Sequence, residues 1–143
     1  MPQPQTYANH VRVVPPYLAA LTALFINAGW SLYDLTTGVT LASLRAAVVA
    51  VALAFIAVYA RGFALRAQDR IIRLETRLRL REVLPAELQP RIGELTLNQL
   101  AALRFAGDRE LPDLVARVLA DGLDDRRAIK QLVTDWQADT LRV

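Results

Sequence analysis

Few side chains in this sequence have the types and spacing that catalysis requires. His10 is the only histidine, and cysteine is absent. A serine or threonine nucleophile needs a base, and His10 is the only imidazole that could serve as one. A zinc site draws three or four ligands from one chain, and no cysteine or pair of histidines is present to begin such a site. We therefore expect a non-enzymatic protein with no metal or cofactor, and interpret His10 as a surface hydrogen-bonding residue.

Three polar residues lie within or beside apolar sequence and could carry other chemistry. Asn27 is near the middle of an uncharged run, where a polar side chain forms an interhelical hydrogen bond or marks a site. Asp34 and Arg45 flank the turn that follows, and we expect them to form an interfacial ion pair. The alternative hypothesis is a small membrane-embedded enzyme or ligand sensor that uses His10, Asn27 and the Asp34/Arg45 pair.

Alanine recurs at every fourth position of the second apolar run, at Ala42, Ala46, Ala50 and Ala54. On a helix these residues form a smooth face that lets another backbone approach closely. We predict a helix-packing seam from these alanines and Asn27. The seam joins the two apolar helices of one chain, or joins the chain to a second copy or to a foreign helix.

The polar residues and alanines described above lie within or beside two apolar runs of the sequence. Residues 13–33 carry no charge, and a second run extends over residues 46–60. About 20 apolar residues in a helix cross the hydrocarbon core of a membrane. The first run is longer than the apolar region of a signal peptide, so we expect it to be retained. The chain is therefore predicted to be all-α, with a two-helix transmembrane hairpin.

Behind the hairpin, the sequence predicts a basic amphipathic helix and a small three-helix domain. Thr96 and Gln99 form a capping box, Pro112 opens a second helix, and Asp124 caps a third that runs to about Ala138. In order, the predicted segments are a polar N-terminal flank (1–15), a transmembrane hairpin (16–61, with spans at about 16–33 and 39–60), a basic amphipathic helix (62–84) and a cytosolic helical domain (91–143).

Seven arginines follow the second run, and we predict that they face lipid. They are Arg61, Arg66, Arg70, Arg73, Arg77, Arg79 and Arg81. Anionic headgroups attract each basic residue near the surface by about 1 kcal/mol. An apolar stripe at helical spacing accompanies them, formed by Ala64, Ala67, Ile71, Leu74 and Leu78. Its last three residues could instead be the seam of a short coiled-coil dimer.

The distribution of charge predicts an orientation and excludes one class of partner. Residues 1–81 carry nine arginines and three acids, whereas residues 82–143 carry eight basic and eleven acidic side chains. Because positive residues stay on the cytoplasmic side, both termini should be cytoplasmic. The acidic C-terminal half does not favour nucleic acid, since such binding depends on neutralising phosphates.

Several short motifs give this chain a resemblance to a family. They are Gln5–Arg12 followed by Pro15-Pro16-Tyr17, Ala67–Arg70, Leu95-Thr96-Leu97, Ala102–Ala106 with Asp108, and Ile129-Lys130 through Trp136 to Arg142-Val143. Together they resemble an uncharacterised family of small bacterial two-span membrane proteins with a cytosolic helical domain. Leu18 stands where that family often has another histidine. The resemblance implies two spans and a helical domain, and it implies no activity, ligand or site residue.

These observations favour an accessory or adaptor protein of the inner membrane. Its expected partners are anionic lipid headgroups and either a second copy of itself or a larger membrane complex.

Overall fold

The computed structural model describes residues 6–7 and 13–138. Within these residues the chain forms six helices and no strand, which confirms the prediction of an all-α chain. The helices are α1 (Pro15–Thr37), α2 (Leu41–Val83), a 3₁₀ helix (Gln89–Glu94), α3 (Leu97–Leu103), α4 (Leu111–Ala120) and α5 (Arg126–Gln131). They form two compact units, a helix-pair unit of Val13–Arg66 and a C-terminal unit built from Ala67 onward.

Helix α1 is longer than the predicted first span. Two prolines occupy its first positions, where a missing N–H group leaves no bond unmade. At its other end, Thr36 and Thr37 donate their hydroxyls to the carbonyl oxygens of Tyr33 and Asp34, at 2.7 and 2.9 Å. Because these bonds satisfy carbonyls in the last turn, the helix ends at Thr37 instead of Tyr33.

A reciprocal pair of hydrogen bonds fixes the start of α2. The Thr40 N–H donates to Ser43 Oγ at 2.9 Å, and the Ser43 N–H donates to Thr40 Oγ1 at 3.0 Å. This is the arrangement of a capping box. Helix α2 then continues for 43 residues without a break. The predicted second span (39–60) and the predicted basic helix (62–84) are therefore parts of one helix.

Small side chains are buried where the two helices of the helix-pair unit meet. Ala28 and Ser31 of α1 are buried, as are Ala47, Ala50 and Ala54 of α2. The α2 positions advance by three and then four residues, which is the repeat of helices that pack at a small crossing angle. Small residues at these positions let the backbones approach closely.

The contacts of Tyr17 show which parts of α1 and α2 are adjacent in the helix-pair unit. Its hydroxyl donates to the carbonyl oxygen of Ala57 at 3.1 Å. The guanidinium carbon of Arg61 lies 5.7 Å from the centre of the Tyr17 ring. The start of α1 therefore lies beside residues 57–61 of α2.

The end of α2 belongs to the core of the C-terminal unit. Leu80 and Leu84 pack there with side chains from α3, α4, α5 and the segments between them. The other buried members are Ile92, Leu95, Leu100, Ala102, Leu103, Ala106, Leu111, Leu114, Val115, Val118 and Ile129. A three-helix unit of this size holds a marginal core by itself. The last turns of α2 enlarge that core and add a fourth α-helix to the predicted three.

The capping box of α3 forms as the sequence predicts. Thr96 Oγ1 accepts from the Gln99 N–H at 3.2 Å, and Gln99 Oε1 accepts from the Thr96 N–H at 2.8 Å. Asp124, predicted to cap α5, instead accepts from the Thr96 hydroxyl and from the Asn98 amide. These bonds, first from Thr96 and then from Asn98, hold the pKa of Asp124 below its usual range.

Helix α5 starts later and ends earlier than the sequence predicts. Its N-cap is Asp125, whose carboxylate accepts from the N–H groups of Arg127 and Ala128 at 3.1 and 3.2 Å. It ends at Gln131, well before Ala138. The helix stops because the segment after it leaves the helical path and pairs with the chain that follows α3.

That pairing closes the C-terminal unit. The Gly107 N–H donates to the Asp135 carbonyl at 2.8 Å, and the Gln137 N–H donates to the Phe105 carbonyl at 2.7 Å. The rings of Phe105 and Trp136 stack with their centres 4.6 Å apart. A methyl group on Gly107 would overlap the Asp135 carboxylate, so any larger residue there would displace the Asp135 side chain.

Glu110 clamps the same pairing from the start of α4. Its carboxylate accepts from the Thr134 hydroxyl and from the N–H groups of Thr134, Asp135 and Gly107, the last three at 3.0, 3.1 and 3.3 Å. Partial burial acts to raise the pKa of Glu110, but these four bonds outweigh it and hold the pKa below its usual range.

Shortening Leu80 should destabilise the C-terminal unit. Leu80 is fully buried, so Leu80→Ala removes core packing and should lower the free energy of unfolding by about 3 kcal/mol. Arg73→Ala is the control, because Arg73 is exposed on the same helix away from the core and should cost less than about 1 kcal/mol. Urea unfolding in dilute detergent, followed by Trp136 fluorescence in a Trp30→Phe background, measures both. Equal losses would contradict the assignment of Leu80 to the core.

Acidification should weaken the clamp formed by Glu110. The pKa of Glu110 is lower in the folded chain than in the unfolded chain, where it is about 4.3. Its contribution to the free energy of unfolding is therefore complete above that value and is lost as the pH falls through the lower folded-state pKa. Glu110→Gln should lose less stability than the wild type between about pH 5 and pH 3. Glu87→Gln is the exposed control, and an unchanged pH slope in Glu110→Gln would disprove the clamp.

Candidate functional site

The helix-pair unit exposes most of its apolar side chains. Helices α1 and α2 are each long and apolar enough to cross a membrane, and only 11% and 17% of their most apolar windows are buried. The central helix of a soluble protein has a similar composition but is mostly buried. The exposed large side chains include Leu18, Phe25, Ile26, Leu32, Val48, Val49, Leu53, Phe55, Ile56 and Val58. Exposed apolar surface of this kind is typical of regions that contact lipid or another protein.

The predicted alanine seam is only partly the packing face. Ala50 and Ala54 are buried, whereas Ala42 and Ala46 are exposed. Ala47 is buried in the turn where Ala46 was expected. Steps of four residues drift around a helix by about 40° each, so a strict four-residue row cannot follow one neighbour for long. The contact instead follows alternating steps of three and four.

The polar residues predicted within the hairpin are not assembled into a site. Asn27 is exposed on α1. Among the residues that the structure describes, no ion pair or hydrogen bond joins Asp34 to Arg45, or either of them to Asn27. His10 lies outside the described residues. Over residues 6–7 and 13–138, no group of three side chains is arranged to hold a metal ion.

An apolar groove of about 600 Å³ runs along one side of the helix pair. Its lining comprises Phe25, Ala28, Gly29, Leu32, Val51, Ala54, Phe55, Val58 and Tyr59. These side chains offer aromatic and aliphatic surface with very little polar surface. The groove can therefore accept an acyl chain or the apolar face of another helix, and it is unsuited to a polar ligand.

Two of the seven arginines lie over aromatic rings at one end of the helix-pair unit. Arg61 lies over Tyr17, and the guanidinium carbon of Arg66 is 5.8 Å from the centre of the Phe63 ring. Such stacking leaves the polar edge of the guanidinium available to solvent or to anionic groups. Trp30 and Tyr33 are exposed near the other end of α1.

Arg79 does not face outward as predicted, but anchors α2 within the C-terminal unit. Its Nη1 and Nη2 donate to the carbonyl oxygens of Arg104 and Ala106 at 3.0 and 2.6 Å. Its Nε donates to Asp108 Oδ1 at 2.8 Å, and Nη2 completes the ion pair at 2.7 Å. Arg104 is the C-cap of α3, so the guanidinium satisfies carbonyls that the end of that helix leaves unpaired.

The contact of the remaining arginines in this part of α2 with lipid stays a prediction. Arg70, Arg73 and Arg81 are exposed, and Arg77 is partly buried. In the part of the chain that the structure describes, the Nε atom of Arg77 is shielded from solvent without a hydrogen-bond partner.

Sequence reasoning selected one apolar stripe of this helix and missed the other. The predicted stripe is exposed at Ile71, Leu74 and Leu78. The buried stripe has steps of four residues, at Ile72, Thr76, Leu80 and Leu84. The buried stripe is hard to recognise in the sequence because Thr76, a polar residue, interrupts it. A buried threonine is nevertheless compatible with a core position on a helix.

A crevice of about 200 Å³ lies beside Arg79 in the C-terminal unit. Its lining comprises Ile72, Glu75, Thr76, Arg79, Arg104, Gln137 and Ala138. Arg104 also lies over the Phe105 ring, with its guanidinium carbon 4.5 Å from the ring centre. The crevice offers hydrogen-bonding groups of both charges. No imidazole or thiol is among these lining residues, so they contain no ordinary nucleophile-and-base pair.

These features define a small helical protein with two helices able to cross a membrane and a separate helical unit. The chain belongs to a family of unknown function (DUF6526), whose model matches residues 1–143. This confirms the predicted relationship to an uncharacterised family. No curated protein and no solved structure matches the chain.

Replacing Arg79 should weaken the attachment of α2 to the C-terminal unit. Arg79→Lys keeps the charge but cannot reach two carbonyl groups and one carboxylate at once, so it should cost about 1–3 kcal/mol of unfolding free energy. Arg73→Lys makes the same change at an exposed position and should cost less than about 0.5 kcal/mol. Urea unfolding monitored by Trp136 fluorescence compares them. Similar values for both variants would show that the anchor contributes little.

Proposed function

We propose that this protein is a non-enzymatic adaptor of the bacterial inner membrane. Its helix pair is a transmembrane hairpin, both termini are cytoplasmic, and the C-terminal unit presents a surface to other membrane components. The single observation that supports this best is the exposure of apolar side chains around α1 and α2. In water that exposure would be unfavourable by about 25 cal/mol for every Å² of apolar surface, whereas hydrocarbon covers it.

The ends of the helix-pair unit also support a membrane position. Tyr17, Tyr59 and Arg61 lie toward one end, and Trp30 and Tyr33 toward the other. Tyrosine and tryptophan concentrate at both membrane interfaces, and arginine concentrates on the cytoplasmic side. Tyr17 and Tyr33 are separated by roughly 24 Å of helix, about four-fifths of the roughly 30 Å hydrocarbon core.

Anionic lipid headgroups are the first partner that this proposal names. Arg61 and Arg66 are the arginines in the helix-pair unit that best suit this contact, because both lie over aromatic rings typical of an interface. The net negative charge of residues 82–143 supports protein contacts in preference to nucleic acid for the C-terminal unit.

Labelling of single cysteines should reveal the proposed topology, since the natural chain has no cysteine. Val39→Cys lies between the helices and should react with a membrane-impermeant maleimide in intact spheroplasts. Glu87→Cys lies in the C-terminal unit and should react only after permeabilisation, and Val49→Cys, inside the span, only after denaturation. The protein should also remain in the membrane after alkaline carbonate extraction.

The controls and contrary results are distinct. Total labelling after denaturation corrects for the amount of each variant. Extraction by carbonate, with equal labelling of all three variants in intact spheroplasts, would exclude a spanning hairpin. Labelling of Glu87→Cys and not Val39→Cys in intact spheroplasts would instead reverse the proposed orientation.

A further inference from the structure

An apolar stripe on α2 is largely exposed in the part of the chain that the structure describes. It consists of Ala67, Ile71, Leu74 and Leu78, and we call it the stem seam. Its three large members are 56%, 61% and 50% exposed. Steps of four, three and four residues give it the spacing of the central positions of a coiled coil.

The C-terminal unit packs on the opposite face of the same helix. Ile72, Thr76 and Leu80 are buried there, and Arg79 is bonded there to the end of α3. With 3.6 residues per turn, the centre of that face lies roughly 160° around the helix from the stem seam. The fold of the unit therefore leaves the stem seam facing away from it.

Charges of opposite sign flank the two edges of the stem seam. In coiled-coil positions, Ala67 and Leu74 occupy d, and Ile71 and Leu78 occupy a. Arg70 and Arg77 then occupy g, and Glu75 and Glu82 occupy e. These are the positions whose side chains cross to the partner helix and determine its identity and direction.

Over residues 6–7 and 13–138, these four charged side chains have no partner. Arg70, Glu75, Arg77 and Glu82 form no side-chain hydrogen bond or ion pair with any residue that the structure describes. Arg79, which lies four residues after Glu75 and could pair with it, is held by Asp108 instead. Two positive and two negative charges thus border an uncovered apolar stripe.

The signs of these four charges favour a second copy of the same helix, lying parallel to the first. In a parallel pair of identical helices, a g residue faces the e residue five positions later in the other chain. Arg70 then meets Glu75 of the second copy, and Arg77 meets Glu82 of the second copy. An antiparallel pair would bring g to g and e to e, and so place like charges together. An anionic membrane surface would attract only the arginine edge and repel the glutamate edge.

We propose that the stem seams of two copies form a short parallel coiled coil over residues 67–82. This inference rests on the proposed function in one respect: copies inserted the same way into one membrane have parallel α2 helices. Two heptads provide little stability alone, and Arg81 at the next d position ends the apolar repeat. Confinement to a membrane raises the effective concentration of the two stems, as a linker does for tethered modules.

Disulfide formation in the full-length chain tests the pairing directly. The variants Ala67→Cys, Leu74→Cys and Leu78→Cys each place one thiol at a central position, where a parallel dimer brings it next to its own counterpart. Arg73→Cys is the control on the same helix, exposed but away from the seam. In phosphatidylcholine vesicles at high lipid excess, with and without phosphatidylglycerol, mild oxidation should give covalent dimers of the three seam variants and not of Arg73→Cys.

Charge reversal tests the direction of the pair. Glu75→Arg would face Arg70 of the second copy at both symmetry-related contacts, and should weaken dimerisation roughly tenfold. Adding Arg70→Glu to the same chain restores opposite charges and should restore the dimer. Glu87→Arg makes the same change of charge outside α2 and should have no effect. Energy transfer between labelled copies in the vesicles measures each dissociation constant.

The outcomes separate this inference from the proposed function. A chain that fails to float with the vesicles contradicts the membrane proposal itself. A chain that floats but gives no seam disulfides, or equal disulfides at Arg73→Cys, overturns only the coiled coil. Seam thiols that stay uncrosslinked and are shielded from a water-soluble maleimide would identify lipid as the cover. Failure of the double reversal to restore the dimer would overturn the parallel pairing of charges.

Discussion

A single helix must suit two different surroundings, and both units of this protein are built on it. In the helix-pair unit, α2 presents Ala47, Ala50 and Ala54 to α1 and large apolar side chains to the outside. In the C-terminal unit, Leu80 of the same helix and Leu84 just after its end enter a core. A helix satisfies its own backbone hydrogen bonds whatever surrounds it, so the change requires only a change of side chains. The continuity of α2 from Leu41 to Val83 follows from that independence.

The sequence was most informative where a short-range rule decides the structure. Neighbouring residues or composition were enough to predict the capping box at Thr96, the apolar runs and the absence of strands. It was least informative where contacts with a distant segment of the chain determine the local structure. Arg79 looked like one more surface arginine because the carbonyl groups of Arg104 and Ala106 that hold it lie 25 and 27 residues away. Helix α5 looked longer because nothing near Gln131 signals the pairing between Phe105 and Gln137 that ends it.

The arginine-rich segment illustrates why composition does not define a function. Seven arginines in one stretch suggest a uniform basic surface, yet the structure divides them. Arg61 and Arg66 lie over aromatic rings, Arg79 holds the end of α3, and Arg70 and Arg77 border an apolar stripe. For a family without an assigned activity, these separate contacts are more informative than the net charge. They direct attention to surfaces for lipid and protein.

The anchor at Arg79 also determines what α2 can transmit. A domain tied to a helix by a flexible linker follows the position of the helix but not its rotation. Here the guanidinium is bonded to Arg104, Ala106 and Asp108, and Leu80 is enclosed by the core one residue later. The last turns of α2 and the end of α3 are therefore bonded at one rotational setting, and within the C-terminal unit α3 would follow a rotation of those turns.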